Sequence, residues 1–244
     1  MQPGVVSLVV ISDITCPWCL IGLRELQKAI KDVEDCKLNI KIEHRPFFLN
    51  PSMDEDKTIS KSTFYLEKFG EEKFKQIVHM VTSRAAEVGV EINFEGVICQ
   101  TIRAHRLLRK AYERGGHVLQ EKLLDKIYHA YFTEGKNIGD IDFLAQLAEE
   151  ADVLPKDQAV AFLKSDEYRA HVEQLAVEAR KRGVTGVPFT VINGRWAVSG
   201  GQTSDIYAQI FRKLAGQGPL HAIPAAPSCS TTGCPIAAAA AVKS

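Results

Sequence analysis

Residues 5–22 read VVSLVVISDITCPWCLIG, and the order of residue types within them decides the fold class. Val5 to Ile11 is an apolar, β-branched run of strand length. Its lack of alternation predicts a strand covered on both faces. After the short link Ser12-Asp13-Ile14-Thr15 comes Cys16-Pro17-Trp18-Cys19. From Leu20 onward the apolar residues fall at helical spacing, at Leu23, Leu26, Ile30 and Val33. The stretch is a strand, a turn and a helix, with two cysteines where the helix begins.

Beyond this unit, Leu38, Ile40 and Ile42 alternate in a half-buried strand pattern that closes in Arg45-Pro-Phe-Phe-Leu-Asn-Pro51. A strand–helix–strand unit of this length implies a right-handed parallel crossover. From about Ser60 to Arg182 the chain then reads as amphipathic helix almost throughout. One helix is marked by Ile102, Leu107, Leu108 and Ala111, a second by Leu123, Ile127 and Tyr131, and a third by Phe143 to Ala148. A longer one carries Tyr168, Val172, Leu175, Ala176 and Ala179. Gly115-Gly116, Gly135 and Leu154-Pro155 punctuate the block, and Gly183 closes its last helix.

Strand character returns in Val187-Pro-Phe-Thr-Val-Ile192, turns at Asn193-Gly194 and continues through Trp196-Ala-Val198. Asn-Gly between two apolar runs is a hairpin signal. Ile206, Ile210 and Leu214 mark a closing helix. The order is therefore βαβ, a helical block, then ββα. That is an α/β chain of thioredoxin-like fold with a large all-helical insertion between its halves. The expected division is 1–58 and 183–215 for the two halves of the core, 59–182 for the insertion, and 216–244 for a flexible tail rich in Ala, Pro and Ser.

Composition narrows the classes of function. Of 244 residues, 45% are hydrophobic and 25% charged, with 30 basic against 30 acidic side chains, so nothing favours a nucleic acid or an anionic membrane as partner. No apolar run approaches the ~20 residues that span a bilayer. The N-terminus has neither a basic leader nor a small-residue cleavage site ahead of the first strand, and a cytoplasmic location is expected. In a reducing compartment, paired cysteines point to redox catalysis or metal rather than to structural disulfides.

Thiol–disulfide exchange needs a thiolate that attacks and a second thiol that resolves. Cys16, at a helix N-terminus with free N–H groups and the positive end of the dipole, is the expected nucleophile. Cys19, one turn on, is the expected resolving thiol. Pro17 suits a first-turn position, and Trp18 offers a rigid apolar rim for substrate. C-x2-C is also zinc spacing, but the intervening proline, the preceding strand and the immediate helix favour redox chemistry, and no metal is expected. Gly183-Val-Thr-Gly-Val-Pro-Phe189 places a proline at the entry to a strand. Beside the dithiol of a thioredoxin-like layout, a cis Val187–Pro188 bond would leave the Val187 backbone to pair with substrate strand-wise.

With these segments in hand, the chain resembles the DsbA-like thioredoxin superfamily, and within it the FrnE-like branch related to 2-hydroxychromene-2-carboxylate isomerase and kappa-class glutathione transferase. The matching segments are Ser12 to Gly22, Arg45 to Pro51, Thr101-Ile-Arg-Ala-His-Arg-Leu107, Tyr131-Phe-Thr-Glu-Gly135, Gly183 to Phe189 and Val198-Ser-Gly-Gly-Gln202. The resemblance implies oxidoreductase activity at Cys16 and Cys19. The related isomerases and transferases carry serine at the position of Cys16 and bind glutathione there; this chain departs from them by having both cysteines.

Other candidates rest on less. His105, with Arg103 and Arg106, lies on a helix expected to face the active-site cleft, where it could meet substrate, or it could simply fill a helix contact. Asp13 could tune Cys16 or form a plain Asx turn. Cys229 and Cys234 form a C-x4-C that could relay electrons to Cys16–Cys19 or be inert; Cys36 and Cys99 read as small buried thiols. The leading function is thus a thiol–disulfide oxidoreductase acting on protein or low-molecular-weight disulfides. It needs no cofactor, glutathione is a candidate co-substrate, and a homodimer is the assembly to test. The rivals are a glutathione-dependent isomerase or transferase of the kappa-class type, and a redox-independent, chaperone-like binding protein.

Overall fold

A computed structural model describes residues 4–216, so Cys229 and Cys234 lie outside the described residues. In chain order the elements are β1 (Val5–Ser12), α1 (Pro17–Asp32), β2 (Asn39–Pro46), β3 (Thr58–Ser60), α2 (Lys61–Phe69), α3 (Glu71–Glu87), β4 (Val97–Cys99) and α4 (Ile102–Tyr128). There follow α5 (Ile141–Glu150), α6 (Lys156–Lys164), α7 (Arg169–Lys181), β5 (Phe189–Ile192), β6 (Trp196–Ser199) and α8 (Ser204–Leu214). The main sheet has the order β2-β1-β5-β6; β1 and β2 are parallel, and β5 and β6 run antiparallel to their neighbours. This is the βαβ–ββα sheet of a thioredoxin-like fold, with α2 to α7 between its halves.

The local sequence accounts for the parts of the sheet. The β5–β6 hairpin turns where Asn193 and Gly194 both take positive φ, 51° and 66°, and Asn193 Oδ1 accepts from Ser7 N, tying the turn to β1. β1 differs from expectation. Only its C-terminal half is covered on both faces, while Val5 and Ser7 are exposed. On one face Val6, Leu8 and Val10 pack with Leu26 and Ala29 of α1 and with Tyr207, Ile210 and Phe211 of α8. Ile11, at the other end, joins the helical block. Each such buried side chain contributes about 1.5–3 kcal/mol.

β2 is an edge strand, and the helical block satisfies it. Gln120 of α4, 1% exposed, accepts from His44 N at 2.8 Å and donates to His44 O at 2.9 Å, standing in for the next strand. α4 bends at Gly115 and Gly116, whose backbones are non-helical, and this brings Gln120 back to the sheet. β3 and β4 form a second, two-stranded sheet inside the block, which was expected to be helical throughout. Each has three residues, too few for a period of two to stand out. Tyr131, expected on an α-helix, lies in a π-helical turn over His129–Thr133.

Two buried charges organise the block. Glu25 of α1 accepts from Ser204 N at the start of α8 and pairs with Arg84 of α3, so one carboxylate joins both halves of the core to the insertion. Arg106, wholly buried, donates to the carbonyls of Glu167 (2.7 Å), Phe162 (3.0 Å), Leu163 and Ser165, holding the turn between α6 and α7. Replacing it strands those carbonyls away from water. Arg106→Met is expected to lower stability by about 2–4 kcal/mol, read from the urea midpoint at unchanged slope.

Candidate active site

The end of β1 delivers its chain into the turn Asp13–Thr15, closed by Cys16 N donating to Asp13 O at 3.1 Å. Cys16 is the N-cap of α1, with extended backbone (φ −90°, ψ 113°) and no side-chain cap, and Pro17 is the first helical residue. Proline costs nothing there, since its missing N–H has no intrahelical partner in any case. The remaining free N–H groups of the first turn face the N-terminal end. Cys16 and Cys19 are near each other but not bonded, and both are buried.

The helix is held against the strand side by close backbone approach. A Cβ on Gly22 would lie 3.1 Å from Pro188 Cγ and 3.4 Å from Gly201 Cα, and one on Gly201 would lie 3.3 Å from Trp18 O. The Val187–Pro188 peptide is cis, and Pro188 O accepts from Gly200 N at 2.8 Å. Across this seam the Cys16 thiol points at Val187 O, 3.7 Å from it. Among the described residues, no acceptor is found for the Val187 N–H.

Burial pushes the Cys19 thiol well above the ordinary thiol range, and the Cys16 sulfur adds to the rise by its hydrogen bond and its charge; a hydrogen bond from the Asp13 main chain acts the other way. Cys19 therefore holds its proton at neutral pH. Burial raises the phenols of Tyr65, Tyr128 and Tyr131. Burial also pushes the Cys99 thiol up to about 12 and the Lys61 ammonium down to about 8. Lys61 donates to Tyr131 O at 2.7 Å and lies 3.9 Å over the Tyr131 ring, fixing the π turn.

Asp13 is more than a local turn. Oδ2 accepts from Leu49 N at 2.7 Å, Oδ1 from Thr15 N at 3.4 Å, and His105 Nε2 stands 3.8 Å from Oδ1. His105 thereby takes the second of the two places read for it, inside a helix contact. Its ring is buried, edge-on to Phe48, and turned toward Asp13. The ring sits on the side of α4 that packs against the end of the sheet, where it fills a helix contact. Pro17 is buried and Trp18 half-buried, the latter with its Nε1 unpartnered among the described residues. Gly22, Lys61 and Tyr131 were not read from sequence as site neighbours. The segment Ser12 to Gly22 did contain Gly22, but its partner Pro188 appears only in three dimensions.

Residues 7–212 match the family model of the DSBA-like thioredoxin domain. The chain belongs to the DsbA-like thioredoxin family. The DsbA-like chain is 29% identical over 213 residues to the uncharacterized protein YwbO of Bacillus subtilis, covering 83% of this chain and 94% of that one. It is similar to the structure of a probable DsbA oxidoreductase, SCO1869 of Streptomyces coelicolor, with TM-score 0.78 and 29% identity over 91% of this chain and 97% of that chain. A 2-hydroxychromene-2-carboxylate isomerase shares the fold at TM-score 0.59 and 14% identity, covering 87% of this DsbA-like chain and 100% of the isomerase. No helix among the described residues is long and apolar enough to cross a membrane.

The raised Cys19 thiol and the tight Gly22–Pro188 seam each make a prediction. In the reduced protein, iodoacetamide is expected to leave Cys19 unmodified across neutral pH and to label it only in strongly alkaline solution, as read by peptide mass mapping. Gly22→Ala is expected to cost about 1–3 kcal/mol by overpacking against Pro188, measured by thermal or urea unfolding.

Proposed function

We propose that this DsbA-like chain is a dithiol–disulfide oxidoreductase acting through Cys16 and Cys19 on protein or low-molecular-weight disulfides. The Cys16 sulfur attacks one sulfur of the substrate disulfide, forming a mixed disulfide and releasing the other as a thiolate, which takes up a proton. Cys19 then loses its proton and attacks Cys16 Sγ. The enzyme disulfide forms and the second substrate thiol leaves, with two electrons transferred. Two equivalents of a thiol, glutathione among the candidates, return the pair to the dithiol. No metal or organic cofactor enters these steps.

The observation that carries this reading is the juxtaposition of Cys16 Sγ with the Val187 carbonyl, 3.7 Å away, at the uncapped start of α1. A substrate chain pairing with the Val187 N–H and C=O would bring its own sulfur alongside Cys16. Trp18, half-buried beside the buried Cys16 in sequence, offers the apolar rim against which substrate would pack. Cys19, kept protonated by burial, does not compete with Cys16 for the first attack.

An insulin-reduction assay tests this. Wild type is expected to turn over, Cys16→Ala to fall to background, and Cys19→Ser to accumulate a mixed disulfide through Cys16, detectable as a mass adduct. Equal turnover by wild type and Cys16→Ala overturns the reading. Glutathione conjugation or isomerisation that survives Cys19→Ser would favour the transferase class instead. Aggregation suppression that is indifferent to both cysteines would favour a binding protein.

A further inference from the structure

The last turn of α7 and its cap carry Arg180, Lys181 and Arg182, all exposed. Among the described residues none of the three has a carboxylate within ion-pair distance; the exposed Arg114 and Arg195 are unpaired as well, but only 180–182 form a run of three and lead directly into the loop that ends at Val187. Cations at a helix C-terminus complement the dipole, which favours basic residues here while leaving their head groups free to meet a further anion. The run is also fixed in place. Arg180 donates to Phe48 O and lies 4.4 Å over the Phe47 ring, and Phe47 N bonds Ser12 O at the end of β1. One end of the segment 180–187 is therefore anchored at the same sheet end as the Asp13–Cys16 turn. Its other end, Val187, touches Cys16. Between them lies Gly183–Gly186, with Gly183 and Thr185 exposed.

We propose that Lys181 and Arg182, with Arg180 anchored beside them, are specificity residues that favour polypeptide disulfides flanked by Asp and Glu; this rests on the oxidoreductase reading above. A substrate strand laid along Val187 and continuing past Gly186 passes the basic run with residues about two to four positions from the attacked cysteine, at about 3.3 Å per residue. Carboxylates at those positions meet cations that have no carboxylate partner among the described residues. An extended backbone is needed both to pair with Val187 and to span this distance, so the partner is an acidic peptide segment.

The test uses two disulfide peptides identical except for Glu or Gln at the second to fourth positions from the cysteine. The full-length wild type is expected to show a kcat/KM ratio of about five- to tenfold in favour of the Glu peptide at low salt, the sum of a few exposed ion pairs of ordinary strength. The ratio should shrink toward one in about 0.5 M salt. In Lys181→Gln/Arg182→Gln the ratio is expected near one at any salt. Lys28→Gln/Lys31→Gln, an equal charge change on the exposed side of α1, should keep it. A ratio near one in wild type overturns the proposal, as does a ratio retained in the Lys181/Arg182 variant or lost equally in the Lys28/Lys31 variant. Turnover of neither peptide instead sinks the oxidoreductase reading, and this proposal with it.

Discussion

The carboxylate of Asp13 is where the parts of this site are tied together. Its two oxygens reach Leu49 N in the loop after β2, Thr15 N in the turn before the dithiol, and the neighbourhood of His105 on α4, while its main chain closes the turn onto Cys16. A buried carboxylate that accepts from backbone N–H groups is held in one place, because losing any partner leaves charge without compensation. The strand end, the following loop and the first helix of the second half of the block therefore share a single reference point. The sulfur of Cys16 lies three residues from it.

Against that fixed point the second half of the core supplies a surface without side-chain bulk. Gly22 and Gly201 let α1, Pro188 and the Gly200–Gln202 loop meet at backbone distance. The direction in which Cys16 points follows from this contact, since Val187 immediately precedes Pro188. The helical block contributes a different kind of environment. Tyr128 and Tyr131 belong to the same buried cluster as the dithiol, and burial is the main cause of the rise in the Cys19 thiol. Backbone geometry aims one sulfur, and desolvation keeps the proton on the other.

Much of this was legible in the sequence because it is written in local patterns. β1, α1, the Asn193-Gly194 hairpin and α8 each announce themselves within a dozen residues, and the spacing of Cys16 and Cys19 carries its own chemistry. Features that depend on distant partners were not legible. Nothing near Gly22 says that it faces Pro188, and nothing near His105 says that its ring turns to Asp13 rather than outward. β3 and β4 are short enough that their pairing is a tertiary fact, with Lys61 N bonding Gly96 O beside it. The covering of β1 on both faces was read too broadly, because burial of its N-terminal half depends on how far the block reaches along the sheet.

Glu25 gives the helical block a standing that its place between the halves of the core conceals. With Ser204 N on one oxygen and the Arg84 guanidinium on the other, it is a buried anion whose counter-charge belongs to α3. A minimal thioredoxin core excised from this chain would keep the Ser204 N–H partner of that anion but lose its Arg84 counter-charge, and would lay the apolar faces of Leu20, Leu23 and Phe47 bare to water. The block is thus not a removable ornament.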